Sequence, residues 1–258
     1  MPTGIPDDSA MATRVQRARR GVRLRGASVL IAAIVSSSLS AVRSDDAKFP
    51  DWPPLLEERF EDKQALDRWE PSDPQAWKLT RQGDNQVASQ FQQSEVETPV
   101  RSPFNRSVAK DLVVSDFVLD VDLQSTARDY PHRSLCLFFG YQDPAHLYYV
   151  HFGQQADEHA NQIFIVNGAP RTKISTRTTQ GTPWDDKWHR ARIVRRVAEG
   201  TIEVYFDDLT TPVMTATDTT FGWGQVGIGS FDDTGHFDNV IVRGVRVERP
   251  DQPSKPAE

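Results

Sequence analysis

The sequence predicts an all-β fold, an antiparallel β-sandwich, and three observations carry that expectation. About a dozen short strand-like segments follow one another over roughly 200 residues, with turn residues between them and no long amphipathic helix. The segment Phe117–Gln124 alternates cleanly, with Phe117, Leu119, Val121 and Leu123 on one face and Val118, Asp120, Asp122 and Gln124 on the other. Asn167-Gly168, between two such runs, is a dipeptide that favours a tight hairpin turn. A parallel sheet would need helical crossovers and a propeller would repeat its blades; the sequence shows neither pattern.

Taken in order, the domain opens with LLEERFEDKQALDRWEP, a short strand ending at Phe60-Glu61 and a turn or helical piece closed by Trp69. Strands are expected at Trp77–Thr80 and Gln86–Phe91, separated by the turn Gly83-Asp84-Asn85. Two prolines make Glu95–Phe104 an edge or loop, and Ser107–Lys110 follows as a strand. After Phe117–Gln124 come Arg133–Tyr141, His146–Gly153 and Asn161–Asn167, then the return strand Arg171–Ser175. Trp188–Val197 and Thr201–Phe206 pair around Ala198-Glu199-Gly200, and Val213–Ala216 precedes the last two strands. These are Gln225–Phe231, whose Gly227 and Gly229 leave one face bare, and His236–Val242, which carries Asp238. Two glycines weaken a strand unless another chain passes close to them.

The N-terminus has the layout of a secretory signal. Arg14, Arg17, Arg19, Arg20, Arg23 and Arg25 precede the apolar run Ala27–Val35 and the small residues SSSLSA. That run is far shorter than the roughly 20 residues that cross a bilayer. The expected plan is an export signal over 1–44, a linker over 45–54, one sandwich domain over 55–248 and a disordered tail over 249–258. The expected location is secreted or periplasmic.

Taking out the seven Arg and two Asp of residues 1–44 leaves 23 basic and 34 acidic residues, a net charge of −11. So acidic a body excludes nucleic acid as the expected partner, because phosphate binding needs a basic surface. The one cysteine, Cys136, cannot form an internal disulfide, so the fold relies on a large core.

Several segments in this order resemble a known group. FEDKQALDRW, LYYVHF, WHRARI, GQVGIGSF and the terminal FDNVIV together resemble the concanavalin A-like lectin/glucanase jelly rolls of exported bacterial proteins. These include laminin-G-like domains and the 3-keto-disaccharide hydrolase domain family. The resemblance covers about residues 55–247 and implies carbohydrate as partner. In many carbohydrate-binding jelly rolls a Glu after the first-strand Phe and an Asp on the last strand share a structural calcium. The matching positions here are Glu61 and Asp238. The E-x-D-x-x-E strand of the laminarinase-type glucanases is missing, and the nearest paired acids are Asp120 and Asp122.

Residue types suggest where chemistry would sit. If Tyr148, Val150 and Phe152 join the core, Tyr149 and His151 face outward, beside Asp120 and Asp122 if the strands are neighbours. Arg133, Asn161, Arg190 and Arg192 are candidates for the same surface, and Trp184 lies on a loop where it is placed to meet a sugar. Asp120 and Asp122 project in one direction about 7 Å apart, a spacing that suits acid and base in glycoside cleavage. His151 is a second candidate base. The alternative is a solvated polar face with cross-strand Asp–Arg pairs. Glycan binding, glycoside cleavage and a laminin-G-like protein contact are the three functions the sequence leaves open.

Overall fold

The computed structural model describes residues 51–250. The expected export signal lies outside the described residues, as does most of the expected tail. In chain order the strands are β1 (Pro54–Glu58), β2 (Trp69–Pro71), β3 (Trp77–Gln82), β4 (Asn85–Gln90), β5 (Asn105–Ala109), β6 (Val114–Ser125), β7 (Ser134–Asp143) and β8 (His146–Gly153). They continue with β9 (Gln162–Asn167), β10 (Thr172–Lys173), β11 (Ser175–Arg177), β12 (His189–Arg196), β13 (Thr201–Phe206), β14 (Met214–Thr217), β15 (Gln225–Ser230) and β16 (Gly235–Arg246). Two short 3-10 turns, Ala65–Arg68 and Pro74–Ala76, are the only helical pieces among the described residues. No helix among them is long and apolar enough to cross a membrane.

The strands form two antiparallel sheets. The first runs β11-β14-β13-β12-β6-β16-β4-β3, with β1 pairing the far end of β16 beside β4. The second runs β10-β9-β8-β7-β15-β5-β2. The turn Asp232-Asp233-Thr234-Gly235 therefore carries the chain from one sheet to the other, because β15 and β16 are not partners. Domain ends meet as well, since the first strand pairs the last at Glu58↔Val240 and Glu57↔Ile241.

The core fills the space between the sheets. Phe117, Leu119, Val121 and Leu123 of β6 pack inward with Ile193, Val204, Val240 and Val242. Facing them are Leu135, Leu137, Phe139, Tyr148, Val150, Phe152, Ile163 and Ile228. Phe117 meets Phe139 edge-on at 5.9 Å, and Phe152 meets Phe206 at 5.6 Å, which lock one sheet to the other. Burying each large apolar side chain stabilises the fold by about 1.5–3 kcal/mol, which suits a domain whose one thiol, Cys136, is free and buried.

Local chemistry explains the edges of this pattern. Gly83, with φ +64°, makes the β3–β4 hairpin, and Gly168, with φ +67°, makes the β9–β10 hairpin. β16 is bulged between Asp238 and Ile241, where Asn239 has a positive φ of 46°. The bulge keeps Phe237, Val240 and Val242 all facing the core. The bare face of β15 answers to the backbone of β5: a Cβ at Gly229 would lie 1.9 Å from the Asn105 carbonyl oxygen, and one at Gly227 would lie 2.8 Å from that of Ser107.

A second apolar cluster lies on the outer face of the second sheet. Cys136, Phe138, Leu147, Tyr149, Phe164 and Val166 form it, and Val100 and Tyr141 pack against it. The segment 91–104 is tied over this face. Arg171 donates its backbone N–H to the Arg101 carbonyl at 3.1 Å, and Ser94 donates to Asn105 Oδ1 at 2.6 Å.

Candidate functional site

The residues expected to share one cleft lie on opposite sides of the molecule. β6 belongs to the first sheet and β8 to the second. Asp120 and Asp122 point outward from one, Tyr149 and His151 outward from the other, with the whole core between them. The expected catalytic set of Asp120, Asp122 and His151 is therefore not a set.

Asp120 has a different task. It is 0% exposed and accepts hydrogen bonds from Arg192 Nε and Nη2 at 2.7 and 3.0 Å. Arg243 Nη1 adds a third at 3.3 Å, and Arg190 Nε stands 3.7 Å away. The β6–β12 register places Arg192 directly opposite Asp120 and Arg190 directly opposite Asp122. Asp122 accepts from Asn239 Nδ2 at 2.8 Å and faces Arg190 Nη1 at 3.8 Å. Cross-strand Asp–Arg pairing accounts for this face, and Arg190 belongs to that network.

Three residues expected to touch a ligand are built into the scaffold. Arg133, 2% exposed, donates to Ser125 Oγ, the Ser125 and Asp185 carbonyls and Asp186 Oδ1, tying β6 to the loop before β12. Asn161, at φ +55°, donates to Thr178 Oγ1 and the Thr179 carbonyl and accepts from Thr182 Oγ1, stapling that loop to β9. Trp184 is 7% exposed, donates Nε1–H to the Phe152 carbonyl at 2.7 Å and stands edge-on to Phe206. It plugs the end of the sandwich.

Tyr149 and His151 do face outward, as the alternation of β8 requires, but both are buried beneath a further layer. Tyr149 stacks on Phe164 at 5.0 Å, and its hydroxyl accepts from Arg171 Nη1 at 3.0 Å. Burial pushes its phenol well up, with Arg171 opposing. His151 donates from Nδ1 to the His159 carbonyl at 2.8 Å, and its Nε2 is buried without a partner. Burial holds this imidazole down at about 4, which keeps it neutral.

Above them sits an array of rings and guanidinium groups. Arg171 lies 4.5 Å over the Phe231 ring and 5.0 Å over Phe164, and Arg101 lies 5.8 Å over Phe231. Phe104 meets Phe231 edge-on at 6.0 Å. Two residues further, on β5, Arg106 lies 5.4 Å over Tyr141. Arg106 and Tyr141 line a cleft of about 40 Å³ with Glu70, Pro71, Ser72 and Val108. Arg101, Arg106 and Arg171 were not singled out by sequence reasoning. For Arg101 and Arg106 the signal is RSPFNR, two arginines flanking an aromatic ring in an otherwise acidic chain. A larger cavity of about 890 Å³ lies around Gln225, Arg246 and Arg249. It holds no aromatic ring, and both arginines already donate, to the Asp111 carbonyl and to Gln225 Oε1.

The expected calcium residues occupy the paired chain ends. Asp238 is buried, and burial raises its carboxyl, with the charges of Asp122 and Glu61 adding to the rise. Its oxygens accept from Asn85 Nδ2 at 2.9 Å and from the Asn239 N–H at 2.7 Å. Glu61 Oε1 accepts from the Gln86 N–H at 3.4 Å, while Gln86 Nε2 donates to the Phe60 and Asp62 carbonyls. Among the described residues no three His, Cys, Asp or Glu side chains gather as a metal cluster. The donor types still fit a hard cation, which takes carboxylate and carbonyl oxygens alike.

No protein-family model and no curated protein sequence matches the chain. Among solved structures, domain 4 of AbnA, a GH43 extracellular arabinanase from Geobacillus stearothermophilus in complex with arabinotriose, is 11% identical. It aligns over 77% of this chain and 96% of its own length with a TM-score of 0.50. The carbohydrate-binding module CBM66 from Bacillus subtilis aligns over 69% of this chain and 96% of its own at 18% identity and a TM-score of 0.48. The likeness is one of architecture, and with the two antiparallel sheets it gives the fold: a jelly-roll β-sandwich of the concanavalin A-like type.

Proposed function

We propose that the chain is an exported glycan-binding module whose ligand rests on the outer face of the second sheet. The observation that carries this is the array around Phe231 and Tyr141, where three guanidinium groups lie over aromatic rings. Flat rings and fixed donors in one place are what a sugar needs, apolar contact for its C–H face and hydrogen bonds for its hydroxyls. The fold shared with the arabinanase domain solved with arabinotriose supports the ligand class. The arginine-rich start and the short apolar run of residues 14–35 support export. Glycoside cleavage has no such support, because Asp120 and Asp122 sit among arginines on the opposite sheet.

Affinity electrophoresis of the mature protein against arabinan, xylan, dextran, polygalacturonate and dextran sulfate tests the reading. At least one polymer should retard the protein, and Arg101→Gln, at an exposed residue, should reduce the retardation at least about tenfold while leaving the melting temperature close to wild type. No retardation by any polymer removes the reading and leaves the laminin-G-like protein contact in its place. The same proposal includes a structural calcium at Glu61 and Asp238, supported by two carboxylates and two backbone carbonyls brought to one end of the sandwich.

A further inference from the structure

Arg101, Arg106 and Arg171 each lie over an aromatic ring on the outer face of the second sheet. Residues 45–258 carry 34 acids against 23 bases, so carboxylate partners are abundant. Several other arginines use them: Arg192 with Asp120, Arg196 with Glu203, Arg68 with Glu58 and Asp62, Arg133 with Asp186. Among the described residues none of the three arginines over the second sheet is paired with a carboxylate. Arg101 and Arg106 make no side-chain hydrogen bond there either, and Arg171 makes one, to the Tyr149 hydroxyl.

Arg106 carries the argument furthest. It is only 8% exposed, and no carboxylate is bonded to it. Tyr141 supports the guanidinium plane and leaves its N–H edges unbonded. Glu70 shares the cleft but is not bonded to it. The cleft, about 40 Å³, exceeds the roughly 10–15 Å³ that one water needs. A small oxyanion head with its own planar or tetrahedral oxygens suits it, because a guanidinium fork grips two such oxygens at once.

We infer that the glycan bound on this face is anionic, with a sugar carboxylate or sulfate ester seated on Arg106 and further charges met by Arg101 and Arg171. This rests on the glycan-binding reading and adds the charge class of the ligand. Gly227 and Gly229 raise no side chain from β15 on the face where β5 carries Arg106 and β7 carries Phe138. Uronate and sulfate share the required chemistry, and the ligand arms below tell them apart.

The test is calorimetric titration of the full mature protein with oligogalacturonate, with sulfated dextran oligomers and with neutral dextran and arabinan oligomers, at 50 and 500 mM sodium chloride. The expected result is binding of one anionic class at least about tenfold tighter than either neutral oligomer, weakened about tenfold or more by the higher salt. Arg106→Gln should lower that affinity about tenfold. Arg106 is nearly buried, so Arg101→Gln, at an exposed residue, serves as the second variant and should also weaken anionic binding with melting unchanged. Preference for uronate over sulfate, or the reverse, names the source of the charge, and either supports the inference. Neutral oligomers bound as tightly as anionic ones, or anionic binding indifferent to both substitutions, overturns the anionic assignment while leaving glycan binding intact. Binding of no oligomer overturns both.

Discussion

Asp120 and Arg192 meet face to face across β6 and β12, joined by two hydrogen bonds of 2.7 and 3.0 Å at a point that solvent does not reach. The pair turns what reads as an exposed acid into the anchor of an arginine cluster that also includes Arg190 and Arg243. Removing the carboxylate takes away the buried acid that Arg192 and Arg243 both bond. Asp120→Asn should therefore cost about 3–5 kcal/mol in urea unfolding. Asp122, half-buried and 3.8 Å from Arg190, should lose less than about 1 kcal/mol on substitution by Asn. Equal effects of the two substitutions would show that the cluster does not hold the sheet as described.

His151 gives the fold a dependence on acid. Its imidazole titrates near 6.5 in an unfolded chain and at about 4 when buried, where desolvation outweighs the hydrogen bond to the His159 carbonyl. Between those values the unfolded state binds a proton that the folded state refuses. The contribution of this ring to stability is therefore fully present above about pH 6.5 and is lost as pH falls toward 4. The slope is about 1.4 kcal/mol per pH unit, for a total of about 3 kcal/mol. Buried carboxylates titrate nearby, so the informative quantity is the difference between wild type and His151→Asn. That difference should change through the 6.5–4 window and level off below it; parallel curves would remove the assignment.

Gly229 and Gly83 both have positive φ, yet they should respond differently to alanine. At Gly83 the angle is +64° and a Cβ meets nothing within 4 Å, so Gly83→Ala should cost about 1 kcal/mol from backbone strain. At Gly229 the angle is +151° and the Cβ would lie 1.9 Å from the Asn105 carbonyl oxygen. That contact can be relieved only by parting β15 from β5, so Gly229→Ala should cost about 3 kcal/mol or more, or prevent folding. Thermal melts of the two variants, read side by side, check the contrast.

These residues also show what a sequence reveals and what it withholds. The alternation of β6 and β8 separated the two faces of each strand, because the period of two is a local property, but it did not show that Val118 and Asp120 on the outer face are buried. It also placed Phe117, Leu119 and Val121 in the core. Which sheet each strand joins is non-local, so nothing in the chain order revealed that Asp120 and His151 lie on opposite sides. Trp184, in a polar loop, reads as a ligand platform until the end of the sandwich closes over it. Glu95–Phe104 reads as an edge or loop and is a loop, but its docking depends on contacts of Val100 with the outer cluster, of Arg101 and Phe104 with Phe231, and of the Arg101 carbonyl with Arg171, which only the folded chain brings together.

Glu61 and Asp238 provide the last test. Asp238 lies where burial and two neighbouring acids, Asp122 and Glu61, oppose its charge. Its proton affinity is raised in the fold, so its ionised form is destabilising at neutral pH and a cation would relieve it. Gln86 Nε2 already occupies the Phe60 and Asp62 carbonyls, so binding requires this amide to swing aside. Calcium should therefore bind more weakly than at a site with free carboxylates and carbonyls. Millimolar calcium is expected to raise the melting temperature by a few degrees, corresponding to roughly 1 kcal/mol. Excess chelator should reverse the rise. Asp238→Asn should abolish the calcium response while itself being close to neutral in stability, because losing one of the two acceptors, for Asn85 or the Asn239 N–H, is offset by removal of the repulsion. A melting temperature that ignores both calcium and chelator would assign the clamp between β1 and β16 to hydrogen bonds alone.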